Sequence, residues 1–169
     1  MKLFYSLLGA ALSLSLASCG YHLGGMKAPA LQNMNTFCIE MFDNETEHPN
    51  AGMLMTTAMA NTLQSDGTYR MASRGESDFV VKGTVRKIDR SSWITNTEDT
   101  YVSTQIGVIV QVDYQVVDMK NGHILMSGQE EETGNYFNDA GSSESSFEAA
   151  VSYATRCIAE DITTSLVTQ

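Results

Sequence analysis

Six apolar residues at every second position, Ile106, Val108, Val110, Val112, Tyr114 and Val116, make residues 104 to 118 the stretch that most limits what this chain can become. Period-two alternation sustained this long requires a strand with one face buried. Gly107, Gln111, Asp113 and Gln115 fall on the other face, with Ile109 and Val117 interrupting its polarity. Asn121-Gly122 follows, a pair favoured in two-residue hairpin turns, and residues 123 to 137 read as the returning strand. The two strands are expected to pair antiparallel.

The remaining elements supply neighbours and a cover. Residues 36 to 42 alternate Phe37, Ile39 and Met41 against Cys38 and Glu40, which predicts a half-buried strand. Residues 78 to 90 alternate Phe79, Val81, Gly83 and Val85 against Lys82, Thr84 and Arg86, and a short extended piece is expected near residues 68 to 72. Between these, Leu54, Met55, Ala58, Met59 and Leu63 recur at helical spacing over residues 51 to 65, after Asn50 as N-cap and before Asp66-Gly67 as a stop. A second stripe, Phe147, Ala150, Val151, Ala154, Ile158, Ile162 and Leu166, predicts a C-terminal helix. The order strand, helix, three strands, helix predicts an α+β two-layer sandwich, with two helices on one face of a mainly antiparallel sheet of about four strands.

The first 18 residues are of a different kind. Lys2 precedes an uncharged run over residues 3 to 18, the positive and apolar regions of a secretory signal. The run is shorter than the roughly 20 residues a membrane-spanning helix needs. Leu16-Ala17-Ser18-Cys19 resembles a bacterial lipobox, which makes Cys19 the expected lipidated first residue of the mature chain. An ordinary secretory signal and an uncleaved anchor are the alternatives. Residues 19 to 35, with Gly24, Gly25 and Pro29, read as a tether to a single domain over residues 36 to 169. Gly20, with no Asp after the cysteine, favours the outer membrane by analogy with bacterial lipoprotein sorting.

Charge and cysteine content narrow the chemistry. Lys2 is the one basic residue of the first 18, so the rest carries nine Lys and Arg against twenty Asp and Glu. Such a chain repels nucleic-acid phosphates. Cys38 and Cys157 are the remaining cysteines, and an oxidising periplasm would permit a bridge between them; the phase of Cys38, opposite Phe37 and Ile39, argues against it. No zinc spacing, nucleophile elbow, P-loop or dinucleotide fingerprint occurs, so neither a metal, a cofactor nor an enzymatic activity is expected. His22, His48 and His123 stand in no catalytic motif, and the carboxylates at 98 to 99 and 130 to 132 read as solvated charges. Lys82, Arg86 and Arg90, spaced by four on one strand, are candidate contacts for phosphate or acidic groups. A solvent-facing strand that discourages edge pairing is the plainer reading of the same residues.

Several segments carry a resemblance. Cys-Gly-Tyr-His-Leu-Gly-Gly at 19 to 25 resembles the start of mature lipopolysaccharide-assembly lipoproteins of the LptE family. Ile39-Glu40-Met41-Phe42-Asp43-Asn44-Glu45-Thr46 is similar to that family's first strand and F-x-N-x-T turn, and Ser77 to Val85 is similar to its A-D-x-x-L-x-G-x-I strand. The segment at 116 to 122 resembles the later strand ending in D-x-x-x-G. What the resemblance implies is an outer-membrane lipoprotein on the periplasmic side that plugs the LptD β-barrel and assists assembly of lipopolysaccharide into the outer leaflet. Lys82, Arg86 and Arg90 would then meet acidic lumen groups or lipopolysaccharide phosphates. The alternative is a lipoprotein with a TolB-N-terminal-like domain that activates a cell-wall synthase.

Overall fold

The computed structural model describes residues 26–92, 105–137 and 143–167. The signal region, Cys19 and the C-G-Y-H-L-G-G segment lie outside them, as do residues 98 to 99. Around the alternating run, three strands of 14 residues each dominate the sheet: β4 (Phe79–Ser92), β5 (Gln105–Asp118) and β6 (Ile124–Phe137). β4 pairs antiparallel with β5, and β5 with β6. The valine row of β5 is buried as its alternation requires, with Val108, Val110, Val112 and Val116 wholly inaccessible to solvent. The β5–β6 connection is wider than the two-residue turn expected from Asn121-Gly122. The Gly122 N–H donates to the Asp118 carbonyl at 2.9 Å, and Gly122 adopts φ +73°, where glycine is favoured.

Among the described residues the sheet has six strands and is mixed. β1 (Thr36–Ile39) lies parallel to β4, and the short β3 (Arg70–Met71) lies parallel to β1 on its far side. Parallel neighbours need a crossover, and α1 (Ala51–Asp66) supplies it between β1 and β4. The strand expected over residues 36 to 42 breaks after Ile39 and resumes along β4 as β2 (Asp43–Asn44). In the break the Phe42 N–H leaves the ladder for the Thr56 hydroxyl at 2.9 Å, and Thr56 donates in turn to the Gly52 carbonyl at 2.7 Å. The phase changes there, so Phe42 enters the core at 2% exposure while Met41, expected to be buried, is 71% exposed.

Both helices cover the same face of the sheet, as the two-layer reading requires. α1 buries Ala51, Gly52, Met55, Met59 and Leu63, and Gly67 ends it in the left-handed region at φ +77°. α2 (Ser143–Val167) buries all seven residues of its apolar stripe. It lies so close to β6 that a Cβ on Gly134 would fall 2.1 Å from the Ala150 carbonyl oxygen. The domain also begins earlier than residue 36. Pro29–Leu31 form a 3-10 turn that buries Leu31, and the Ala28 N–H donates to the Leu166 carbonyl at 3.1 Å. The Tyr69 hydroxyl donates to that same carbonyl at 2.8 Å. Burial of Tyr69, with Asp66 nearby, pushes its phenol up to about 12.

Candidate functional site

The sheet face turned away from the helices carries the polar half of each alternation. Lys82 and Thr84 of β4 pair with Gln115 and Asp113 of β5, and these with Ser127 and Gln129 of β6. Glu40, Met41 and Asp43, at the break between β1 and β2, form a rim, so the face holds a shallow depression of about 530 Å³. Lys82 is half-buried there, and its side chain makes no ion pair or hydrogen bond among the described residues.

A β-bulge decides where the other candidate cations go. Val85 faces Val112 and Lys87 faces Gln111, which leaves Arg86 as one extra residue in β4. Its guanidinium turns across the polar face, donating from Nε to Asp113 Oδ2 at 2.7 Å and from Nη1 to Glu45 Oε2 at 2.6 Å. Asp113 accepts a further bond from Gln129 at 2.8 Å. The hydrogen bonds from Arg86 and Gln129 hold the Asp113 carboxyl below the usual range, and Asp113 and Glu45 together raise Arg86. Arg86 is therefore already occupied.

Beyond the bulge the faces exchange relative to uninterrupted alternation. Ile88 and Arg90 face Val110 and Val108 on the helix side, so Lys82, Arg86 and Arg90 do not share one side as their spacing suggested. The Arg90 guanidinium lies 4.1 Å from the centroid of the Phe147 ring and 3.8 Å from Glu144 Oε2. Arg90 thus lines a separate cleft of about 720 Å³ at the end of the sheet, between the 45 to 49 turn and the start of α2. His48 Nε2 meets Glu148 Oε1 there at 3.0 Å, and Lys87 meets Asp89 at 2.7 Å. Every cation in this cleft has a carboxylate partner, which leaves little field for an anion.

The cysteines stay apart and free. Cys38 is buried on the uncovered side of β1, where its sulfur accepts from the Ser77 hydroxyl at 3.1 Å. Cys157 is half-buried on α2, across the sheet, hydrogen-bonded with Tyr153. The sheet itself separates the two thiols.

The F-x-N-x-T segment and the strand glycine form one joint. The Asn44 side chain accepts from the Thr46 N–H at 2.9 Å and hydroxyl at 2.7 Å, and donates to the His48 carbonyl at 2.7 Å. This rigid turn leaves Phe42 lying on Gly83, whose absent side chain makes the space. Asp78, at the head of β4, accepts from the Asn35 N–H at 2.9 Å, the Thr36 N–H at 3.1 Å and the Thr36 hydroxyl at 3.0 Å. Glycine and aspartate in this pattern lock β1 and β2 onto β4.

No protein-family model matches the chain, and no curated protein matches it in sequence. Solved structures do match. PelC from Paraburkholderia phytofirmans, solved as a dodecamer, is similar over 81% of this chain and 92% of that one, with 18% identity and a TM-score of 0.50. The minor lipoprotein of Acinetobacter baumannii is similar over 79% and 91%, at 9% identity and 0.50. A DUF330 protein of Xanthomonas campestris is similar over 82% and 87%, at 8% identity and 0.54. At such identities the likeness concerns the fold. The chain therefore has a fold that bacterial lipoproteins use.

Proposed function

We propose that this chain is a lipoprotein anchored through Cys19 to the outer membrane, on its periplasmic side, where it plugs an LptD-like β-barrel and assists assembly of lipopolysaccharide into the outer leaflet. The observation that carries the reading is the joint between Phe42 and Gly83. Two short patterns that resemble the LptE family's, 41 positions apart, are halves of one contact, which supports reading them together as parts of one fold. The uncovered sheet face suits a polar barrel lumen, because it presents alternating amides, hydroxyls and paired charges. Lys82 supplies a cation whose side chain has no partner among the described residues, able to meet a phosphate or an acidic lumen group. No covalent step belongs to this function.

Affinity purification of the tagged lipoprotein from detergent-solubilised outer membranes tests the proposal. Recovery of a large β-barrel in equimolar amount supports it, and recovery of a cell-wall synthase in its place overturns it in favour of the TolB-like alternative.

A further inference from the structure

Among the described residues β6 ends the sheet, and its ladder partner is β5 alone. Among the described residues no backbone hydrogen bond from another element reaches its outer edge. At about 3.3 Å per residue, β6 runs for about 45 Å, with Pro29–Leu31 packed against part of it and a bulge at Leu125 near its start. Such an edge is a template for a further strand unless side chains forbid it.

The side chains along β6 select what can pair with it. Glu130, Glu131 and Glu132 occupy its centre, and none has an ion-pair partner among the described residues. Glu130 and Glu132 face the helix layer, where burial, and then repulsion by Asp161 and Glu132, push the Glu130 carboxyl up. Two residues further on, Gly134 packs without a side chain on Ala150, and just beyond it a cleft of about 430 Å³, lined mainly by apolar and aromatic side chains, opens between the strand and α2 beside Tyr136, Phe137, Ala149 and Tyr153. Phe137 and Tyr153 are 55% and 51% exposed. A second copy pairing antiparallel across this centre would bring like charges together. A strand with cations at those positions gains instead, and the cleft offers an apolar side chain a place.

We propose that the outer edge of β6 receives an extended basic segment of a partner protein as a seventh strand. Main-chain bonds along the edge provide affinity, while the glutamates and the cleft provide selectivity. The segment that fits carries Lys or Arg at two alternate positions, opposite Glu130 and Glu132, and a large apolar residue at the next alternate position, opposite Gly134. This inference is independent of the barrel reading.

The test uses the mature chain and synthetic peptides of about eleven residues containing Lys-x-Lys-x-Phe or its reverse, long enough to span the pairing surface. Hydrogen exchange is expected to show new protection in residues 124–137 with one of the two peptides. Replacing both lysines by glutamate is expected to weaken binding by about tenfold or more, as is the protein variant Glu130→Gln/Glu132→Gln, which keeps side-chain size. Ala149→Trp, filling the cleft, should remove the preference for Phe over Ser. Absence of protection in β6 with either peptide, or affinity indifferent to peptide charge, overturns the proposal.

Discussion

A methyl group added at Gly83 would lie 2.3 Å from the Asp113 carbonyl oxygen and 2.5 Å from the Phe42 ring. The first of these atoms is backbone and cannot swing aside, so Gly83→Ala is expected to cost about 1–3 kcal/mol in urea unfolding. Phe42→Ala should cost about 3–5 kcal/mol, and the double variant less than the two together, because one substitution vacates space the other needs. Two carboxylates respond to acid in opposite senses. Asp78 is lowered to about 2, chiefly by the Asn35 N–H, then by Thr36 and Lys120, against 3.8 for an ordinary aspartate. Its contribution is complete above about pH 4 and fades as pH falls through 2. Asp78→Asn should therefore be less stable than the parent at pH 7 and lose the parent's stability slope between pH 4 and 2. Glu130 is raised by burial, so the folded state binds its proton more tightly than the unfolded chain. Its ionisation opposes folding as pH rises, and Glu130→Gln should raise the melting temperature at pH 7, with the gain shrinking at acid pH.

Within β4, the bulge at Arg86 keeps Ile88 facing inward and Lys87 outward despite an extra residue. Deleting Arg86 would join Val85 to Lys87 in the register both already hold. That deletion is expected to leave a folded protein by circular dichroism, weakened by the loss of the Glu45 and Asp113 bonds. Deleting Gln111 from β5, which has no bulge there, would turn half its valine row toward solvent and should abolish cooperative unfolding. This element also marks where the sequence stops being legible. Simple alternation described the buried row of β5, and helical spacing the seven-residue stripe of α2, because nothing interrupts either period; the stripe is wider than expected, with Thr155, Ala159, Thr163 and Val167 also buried. A bulge or break shifts the phase without leaving a sign in hydrophobicity, which is why Met41 and Arg90 lie on the faces opposite to those their spacing implied. The short β2 was beyond reach for another reason: two residues hold no period, and it exists through pairing with β4, whereas β3 falls within the extended piece expected near residues 68 to 72.

For the molecule as a whole, the candidate site was half legible. Lys82 stands on the polar face that alternation assigns it, but the neutralisation of Arg86 depends on Glu45, 41 residues earlier, and Asp113, 27 later, which only the topology brings together. The three cations should therefore behave differently. Lys82→Glu is expected to reduce barrel or lipopolysaccharide association in detergent pull-downs while leaving the melting temperature within a few degrees. Arg86→Ala should instead lower stability, and Arg90→Ala should disturb packing on Phe147. A mechanical consequence follows from the bonds that tie Ala28 and Tyr69 to the last turn of α2. With a lipid on Cys19, the eight residues 20 to 27 would separate the anchor from that tie, a leash of roughly 30 Å when fully extended. Tension along such a leash would load two ties together, the Lys27 ammonium on the Met34 carbonyl and the Asn35 side chain ahead of β1, and the Ala28 bond to the last turn of the long C-terminal helix.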